Sequence, residues 1–257
     1  SLTELCYRPS SAYPGHTSYK LSHTPSYSME KAGAMANVAL VGTFDTKGRE
    51  FEFCREIFEE QNISTTMIHA GTFPSEIPTD ISNDVVASAG GAKLTALVDS
   101  KDRGASMAAM TSGVRTIISD LYAKGTIDAV FSLGGSGGTT LATAGMRELP
   151  VGVPKVMVST MAGGNVAEYV GTSDLAMFPS IVDVQGLNSI LQDVLTNAVH
   201  ATIGMLKSTR EEHENAKPQI AATMFGVTTP CVSHAQEYLE ERGYDVVVFL
   251  ATGAGGR

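Results

Sequence analysis

The sequence predicts an α/β fold, a Rossmann-like parallel sheet with helices on both faces, on three grounds. Short β-branched or apolar runs alternate with longer amphipathic ones. The short runs are near-continuously apolar, as strands buried on both faces must be, and right-handed crossovers then follow. Three of these runs also lead directly into glycine-bearing loops, most clearly in Phe131-Ser132-Leu133-Gly134-Gly135-Ser136-Gly137-Gly138-Thr139-Thr140, where a strand meets four glycines and then a helix-like segment.

In chain order, residues 1–34 are dominated by Ser, Thr, Tyr, Pro, Gly and His without an apolar period, which predicts a mobile tail. An α/β domain is expected over residues 35–208. Its predicted strands are Asn37 to Val41, Thr65 to His69, Ala129 to Leu133, Lys155 to Val158 and Leu175 to Phe178. Helices are predicted over Lys47 to Glu60, Met107 to Lys124, Thr139 to Arg147 and Leu187 to Lys207. In the last of these, Leu187, Ile190, Leu191, Val194, Leu195, Ala198, Val199, Ile203 and Leu206 recur at helical spacing, a face broad enough for the sheet and for a second subunit, hence a possible homodimer. Residues 209–218 look like a linker closed by Pro218. Residues 219–257 begin a second, truncated α/β domain: strand Ile220 to Phe225, helix Cys231 to Arg242 with Pro230 at its first position, and strand Val246 to Leu250. The missing initiator Met and the final Gly253-Ala254-Gly255-Gly256 loop predict a fragment or processed form of a longer two-domain protein.

Composition narrows the function classes. A net charge of −9 without any Lys/Arg-dense run argues against DNA or RNA as the main partner. No apolar stretch reaches the roughly 18 to 20 residues of a membrane span, and no signal-peptide core opens the chain, so no membrane association is expected. Three widely spaced cysteines, Cys6, Cys54 and Cys231, fit free thiols in a cytoplasmic protein better than a disulfide framework or a zinc site.

Four segments taken together resemble one family: Gly42-Thr43-Phe44-Asp45-Thr46-Lys47-Gly48-Arg49-Glu50, the Ser132 to Thr139 loop, Ser159-Thr160-Met161-Ala162-Gly163-Gly164-Asn165, and Ala251 to Gly256. This is the family of the tomato mosaic virus resistance protein, with an ATP-binding N-terminal domain and a barrel domain similar to phosphoenolpyruvate hydrolases. The likeness runs from about Ala36 to the end. It implies nucleotide binding, with ATP as cofactor, for residues 35–208. It also implies that a member can act on a protein partner, as an inhibitor of viral replication.

The residues themselves support an anion site. Glycine lets backbone N–H groups approach a ligand, and a helix that follows offers its unsatisfied N–H groups and positive dipole end. In an open α/β sheet ligands lie beyond the carboxyl ends of the strands, so the three loops predict one pocket. Its expected members are Gly42, Thr43, Asp45, Thr46, Lys47, Gly134, Gly135, Ser136, Gly137, Gly138, Thr139, Thr160, Gly163, Gly164 and Asp174. Lys47 is placed to pair with phosphate, or is a solvated first-turn lysine. Asp45 is the candidate ligand for Mg²⁺, and Thr43, Thr46, Ser136 and Thr139 are candidate donors to phosphate oxygens. Helix capping by Asp45 and Thr46 explains those two equally well. Gly163, Gly164 and Asn165 line the pocket or form a turn. Asp174 reaches a ribose hydroxyl or ends a turn. His69 faces the site or is structural, Cys231 is a packing residue, and Lys101, Asp102 and Arg103 form a charged surface loop.

The glycines match neither the P-loop, which needs Gly-Lys-Ser/Thr, nor the dinucleotide fingerprint, whose third glycine is absent. No triad, paired-carboxylate or metal-ligand spacing stands out, so catalytic residues are unassigned. Two alternatives to nucleotide binding stand beside it: a protein-interaction module using residues 72–103 or the long helix, and an enzyme for a small phosphorylated or carboxylated metabolite.

Overall fold

The structure, a computed structural model, describes residues 35–208 and 217–252. The expected tail 1–34 with Cys6, most of the expected linker (209–216) and the terminal glycines (253–257) lie outside the described residues. Residues 35–208 build strands β1 (Asn37–Gly42), β2 (Ser64–His69), β3 (Ala129–Gly134), β4 (Lys155–Ser159) and β5 (Ala176–Pro179). Between and after them come helices α1 (Phe44–Glu60), α2 (Asn83–Ala89), α3 (Leu94–Ser100), α4 (Arg103–Ala123), α5 (Ser136–Met146), α6 (Ala167–Val170) and α7 (Ser189–Lys207). The five strands form one parallel sheet in the order β2-β1-β3-β4-β5.

Alternate residues of each strand feed two cores, one per face. Ala39, Val41, Val130 and Met157 pack with Met110, Val114 and Ile118 of α4 and Leu141, Ala142 and Met146 of α5. On the opposite face Val38, Leu40, Phe131, Val156 and Val158 pack with Phe51, Cys54 and Phe58 of α1 and Leu191, Leu195 and Val199 of α7. Most of the α7 face singled out in the sequence therefore packs on the sheet, while Ile190 of that face stays exposed. Asn188 caps that helix, accepting from Leu191 N at 3.0 Å.

Residues 72–103, offered by the sequence as a protein-interaction surface, are partly buried in the domain. They carry α2 and α3, with Val86 and Ala87 fully buried. Helix α2 meets α4 backbone to backbone: a Cβ at Gly90 would lie 2.0 Å from Ala109 O, and one at Gly113 would lie 1.9 Å from Val86 O. Helices this short complete too few turns to show a period, and small residues rather than large apolar ones make the contact. Lys101, Asp102 and Arg103 are exposed as expected but form a helix joint. Lys101 ends α3 in the left-handed region (φ 54°), and Asp102 caps α4 by accepting from Ala105 N at 3.0 Å, so α4 starts before Met107.

Residues 217–252 hold a two-stranded parallel sheet, β6 (Gln219–Met224) and β7 (Asp245–Leu250), joined through a 3₁₀ turn (Gly226–Thr228) and helix α8 (Thr229–Glu240). Pro230 takes the second position of α8, not the first. Of these residues only Val246 is buried. Among the described residues, no helix is long and apolar enough to cross a membrane.

Candidate site at the strand-order reversal

The order β2-β1-β3-β4-β5 reverses direction between β1 and β3. The chain leaves β1 into α1 on one face and leaves β3 into α5 on the other, which opens a crevice between the two loops, the usual ligand position in such sheets. Ser132 Oγ donates to Val41 O at 2.6 Å and ties the two strand ends together. Both glycine loops singled out in the sequence thus border the crevice.

The β1 loop divides into packing residues and free groups. Gly42 is required by packing, since a Cβ there would lie 2.2 Å from the Phe51 ring. Thr43, not Asp45 or Thr46, occupies the N-cap position of α1. Its hydroxyl makes no capping bond and lies 3.1 Å from that of Thr46, so capping does not account for Asp45 or Thr46. Lys47 departs from helical geometry (φ −131°, ψ 20°), which offsets the first turn of α1 from the rest. Its ammonium makes no ion pair among the described residues. Asp45 Oδ2 accepts from Phe73 N at 3.1 Å, while Oδ1 is buried without a hydrogen-bond partner. Such an orphan acceptor calls for an explanation, and a bound ion is one.

At the end of β2 and in the loop after it, the sequence singled out only His69 for the site. Buried His69 accepts from Phe44 N at Nδ1 (3.1 Å), which leaves the proton on Nε2 to donate to Phe73 O (2.8 Å). Both ring nitrogens are committed, and His69 is structural. Asn83 Nδ2 donates to Gly71 O and Phe73 O, each at 3.0 Å. Gly71 makes room for Asp45, whose Oδ1 would lie 2.3 Å from a Cβ there. The available signals were Gly71 two residues past a strand-ending histidine and an asparagine opening the next helix.

At the β3 loop, Gly135 caps α5 by position and Thr139 N makes the bond to Gly135 O at 2.9 Å. The N–H groups of Ser136, Gly137 and Gly138 precede that bond and have no partner within the helix. None of Gly134, Gly135, Gly137 or Gly138 has a left-handed φ. A Cβ on any of them would meet nothing nearer than 3.4 Å. Ser136 is exposed. Thr139 differs from its predicted role: it is buried, and its hydroxyl donates to Gly135 O (2.7 Å) and lies 2.6 Å from Ser159 Oγ. Met161 N donates in turn to Ser159 Oγ at 2.9 Å. Thr139 therefore fastens the loop to β4 and has no proton left for a phosphate.

In the β4 loop Thr160 N donates to Gly134 O at 3.3 Å, and a Cβ on Gly135 would lie 3.8 Å from Thr160 Oγ1, so this hydroxyl borders the glycine loop. Gly163 and Gly164 are exposed with room for a side chain, and Asn165 Oδ1 accepts from Ala167 N at 3.1 Å at the start of α6.

Asp174 does not join this group. It pairs with Lys155 Nζ (2.6 Å) and accepts from Gly152 N (2.5 Å). Lys155 begins β4 and Asp174 precedes β5, so the pair sits at the amino edge of a parallel sheet, opposite the crevice. Partial burial pushes the Asp174 carboxyl up, but the Lys155 ammonium and the Gly152 N–H outweigh it and hold the group below the usual carboxylate range. Cys54 is buried, and burial with Glu50 nearby drives its thiol pKa far up, which makes it inert. Cys54 and exposed Cys231 are both free thiols.

Residues 36–211 match the N-terminal domain of the uncharacterised protein family UPF0261, and residues 217–257 match its C-terminal domain. The chain belongs to the UPF0261 family. A UPF0261 protein of Clostridium tetani is 46% identical over 221 residues, 86% of this chain and 55% of that one. The ToMV resistance protein Tm-1(GCR237) of Solanum lycopersicum is 46% identical over 160 residues, covering 60% of this chain and 21% of its own length. This UPF0261 chain spans about half the length of the bacterial relatives. Among solved structures, the Methanocaldococcus jannaschii UDP-GlcNAc 2-epimerase aligns over 86% of this chain and 67% of its own at 10% identity and a TM-score of 0.34, too distant to carry an argument.

The loops that border the crevice of this UPF0261 chain carry three helix-start N–H groups, the hydroxyls of Ser136 and Thr160, a Lys47 with no ion pair among the described residues, and the orphan carboxylate oxygen of Asp45. Free N–H and hydroxyl groups of this kind can donate to an anion, and an unpartnered carboxylate oxygen can accept from a donor or a cation. Among the described residues no three His, Cys, Asp or Glu side chains cluster to hold a metal unaided.

Proposed function

We propose that this chain binds a nucleotide, ATP, in the crevice between β1 and β3, with its phosphates on the β3–α5 glycine loop. The observation that carries the proposal is that Gly134, Gly135, Gly137 and Gly138 are not needed by the fold: no φ demands glycine and no neighbour would be struck by a side chain. Gly42, Gly71, Gly90 and Gly113, by contrast, each have an internal reason. What is left for the four loop glycines is the close approach of something outside the chain. Ser136, Gly137 and Gly138 N–H groups would bind phosphate oxygens, Thr160 would add a hydroxyl, and Lys47 a charge.

Mg²⁺ fits the same crevice. It favours one or two carboxylates completed by phosphates and water, and Asp45 Oδ1 is a buried oxygen without a partner. Mg²⁺ would neutralise charge on the phosphates. The identification of the ligand as ATP is supported by the resemblance of these loops to the family of the tomato resistance protein. Free Cys54 and Cys231 support a reducing, cytoplasmic setting.

The test is calorimetric titration of the 257-residue chain with ATP, with and without Mg²⁺. Saturable binding strengthened by Mg²⁺ and lost in Gly137→Val is expected. Equal heats in both proteins would remove the site. A second reading, a protein-interaction module, draws on the match to a virus-resistance protein and on exposed Val85 and Val98 of α2 and α3. It expects substitutions there to abolish partner binding while ATP affinity survives.

A further inference from the structure

We infer that Phe73 is the stacking platform for the base of the bound nucleotide, an assignment that rests on the proposed phosphate site. Single exposed apolar side chains are ordinary on protein surfaces. Phe73 is distinguished by the contrast between its ring and its backbone. The residue is 60% exposed and belongs to neither core cluster. Its N–H is held by Asp45 of α1, and its carbonyl by His69 of β2 and Asn83 of α2. Three polar side chains from three elements thus fix the position of a residue whose own side chain contributes little to the core. Folding gains little from such a loop, whereas a ligand that needs a flat apolar surface in a fixed place gains a great deal.

The placement fits. β2 lies beside β1, and β1 beside β3, so the loop carrying Phe73 is two strand spacings, about 10 Å, from the glycine loop. An extended ribonucleotide covers that span between base and outer phosphates. Asp45 stands between, bonded to Phe73 N through one oxygen and with the other unpartnered, so the same carboxylate links the proposed cation position to the platform. Among the described residues 35–208, Phe73 is also the exposed aromatic side chain. Aromatic rings stack on any base through the π-face, giving affinity without reading its edge.

The opposite direction along the strand ends offers exposed Met161 and Ile181. Ile181 has a left-handed φ of 65° in a tight turn closed by Val182 N donating to Ser180 O at 2.7 Å. Both are aliphatic, and neither gives a planar surface.

Because the chain contains no tryptophan, Phe73→Trp introduces a single indole reporter at this position. ATP is expected to quench its fluorescence saturably, while inorganic tripolyphosphate with Mg²⁺ binds without quenching. Phe73→Ala is expected to weaken ATP about tenfold and to leave tripolyphosphate affinity unchanged. Unchanged ATP affinity in Phe73→Ala, or equal losses for both ligands, overturns the stacking assignment alone. A loss of ATP affinity in Met161→Ala or Ile181→Ala with none in Phe73→Ala places the base on the other side and also overturns it. If the wild-type chain binds neither ATP nor tripolyphosphate, the phosphate site itself fails and the platform with it.

Discussion

Gly137 shows how one position separates the needs of the fold from those of a ligand. It lies in the first turn of α5 with a non-left-handed φ, and a Cβ would meet only Met107, at 3.9 Å. Gly137→Ala should therefore leave the thermal midpoint unchanged or raise stability by up to ~1 kcal/mol, as alanine does in helices. ATP affinity should fall at least tenfold, because the methyl group occupies the space over the N–H groups. Calorimetry and a melting curve on the same sample check both halves. Asp174 offers the reverse experiment. Removing its charge takes away the carboxylate that lies 2.6 Å from the fully buried Lys155 ammonium, while Pro150 O and Val153 O still accept from it at 2.8 Å. With Asp174 partly open to water, Asp174→Asn should cost about 2 kcal/mol at neutral pH and leave ATP binding intact. Because the folded state lowers the Asp174 pKa, its contribution is present above the unfolded value of about 3.9 and is lost as pH falls through the folded one. Urea titrations of both proteins should thus diverge at pH 7 and converge in acid. A large loss of ATP affinity in Asp174→Asn would put this residue back in the site.

At the scale of elements, the contact of α2 with α4 is the sharpest constraint. A side chain on Gly113 strikes the Val86 carbonyl, a backbone atom that cannot rotate away. Gly113→Ala should destabilise the fold by about 3 kcal/mol through forced separation of the helices, seen as a lower urea midpoint with an unchanged slope. The long periodic α7 and the apolar strands were legible because each repeats its pattern over enough residues. The seven-residue α2 and α3 were not, since each completes too few turns to show a period and the contact of α2 with α4 runs through Gly90, Ala109 and Gly113. The early starts of α4 and α5 were hidden for another reason. Asp102 and Gly135 act as helix starts only in the backbone conformations they adopt, and composition alone reads them as loop.

For the whole molecule, the five-stranded sheet is covered on both faces, whereas the two-stranded β6–β7 sheet leaves Val247, Phe249 and Leu250 exposed. Isolated two-stranded sheets are marginal. Amide exchange should accordingly be slowest in β1, β3 and β4, and orders of magnitude faster in β6 and β7; equal protection would show that residues 217–252 are stabilised by contacts outside these elements.

The sequence by itself determined the alternation of strands and helices, the two-sided burial of the strands and the glycine-rich loops at the strand ends, because these depend on local composition and period. Only the tertiary structure decided the strand order. Pairing of β1 with both β2 and β3 is long-range, and it alone puts the reversal between the two glycine loops. It also moved Asp174 to the far edge, committed the Thr139 hydroxyl to Gly135 and Ser159, and bonded Phe73 N to Asp45. Which glycines serve packing and which leave room for a ligand followed in the same way, since a missing side chain has meaning only against the atoms that would surround it.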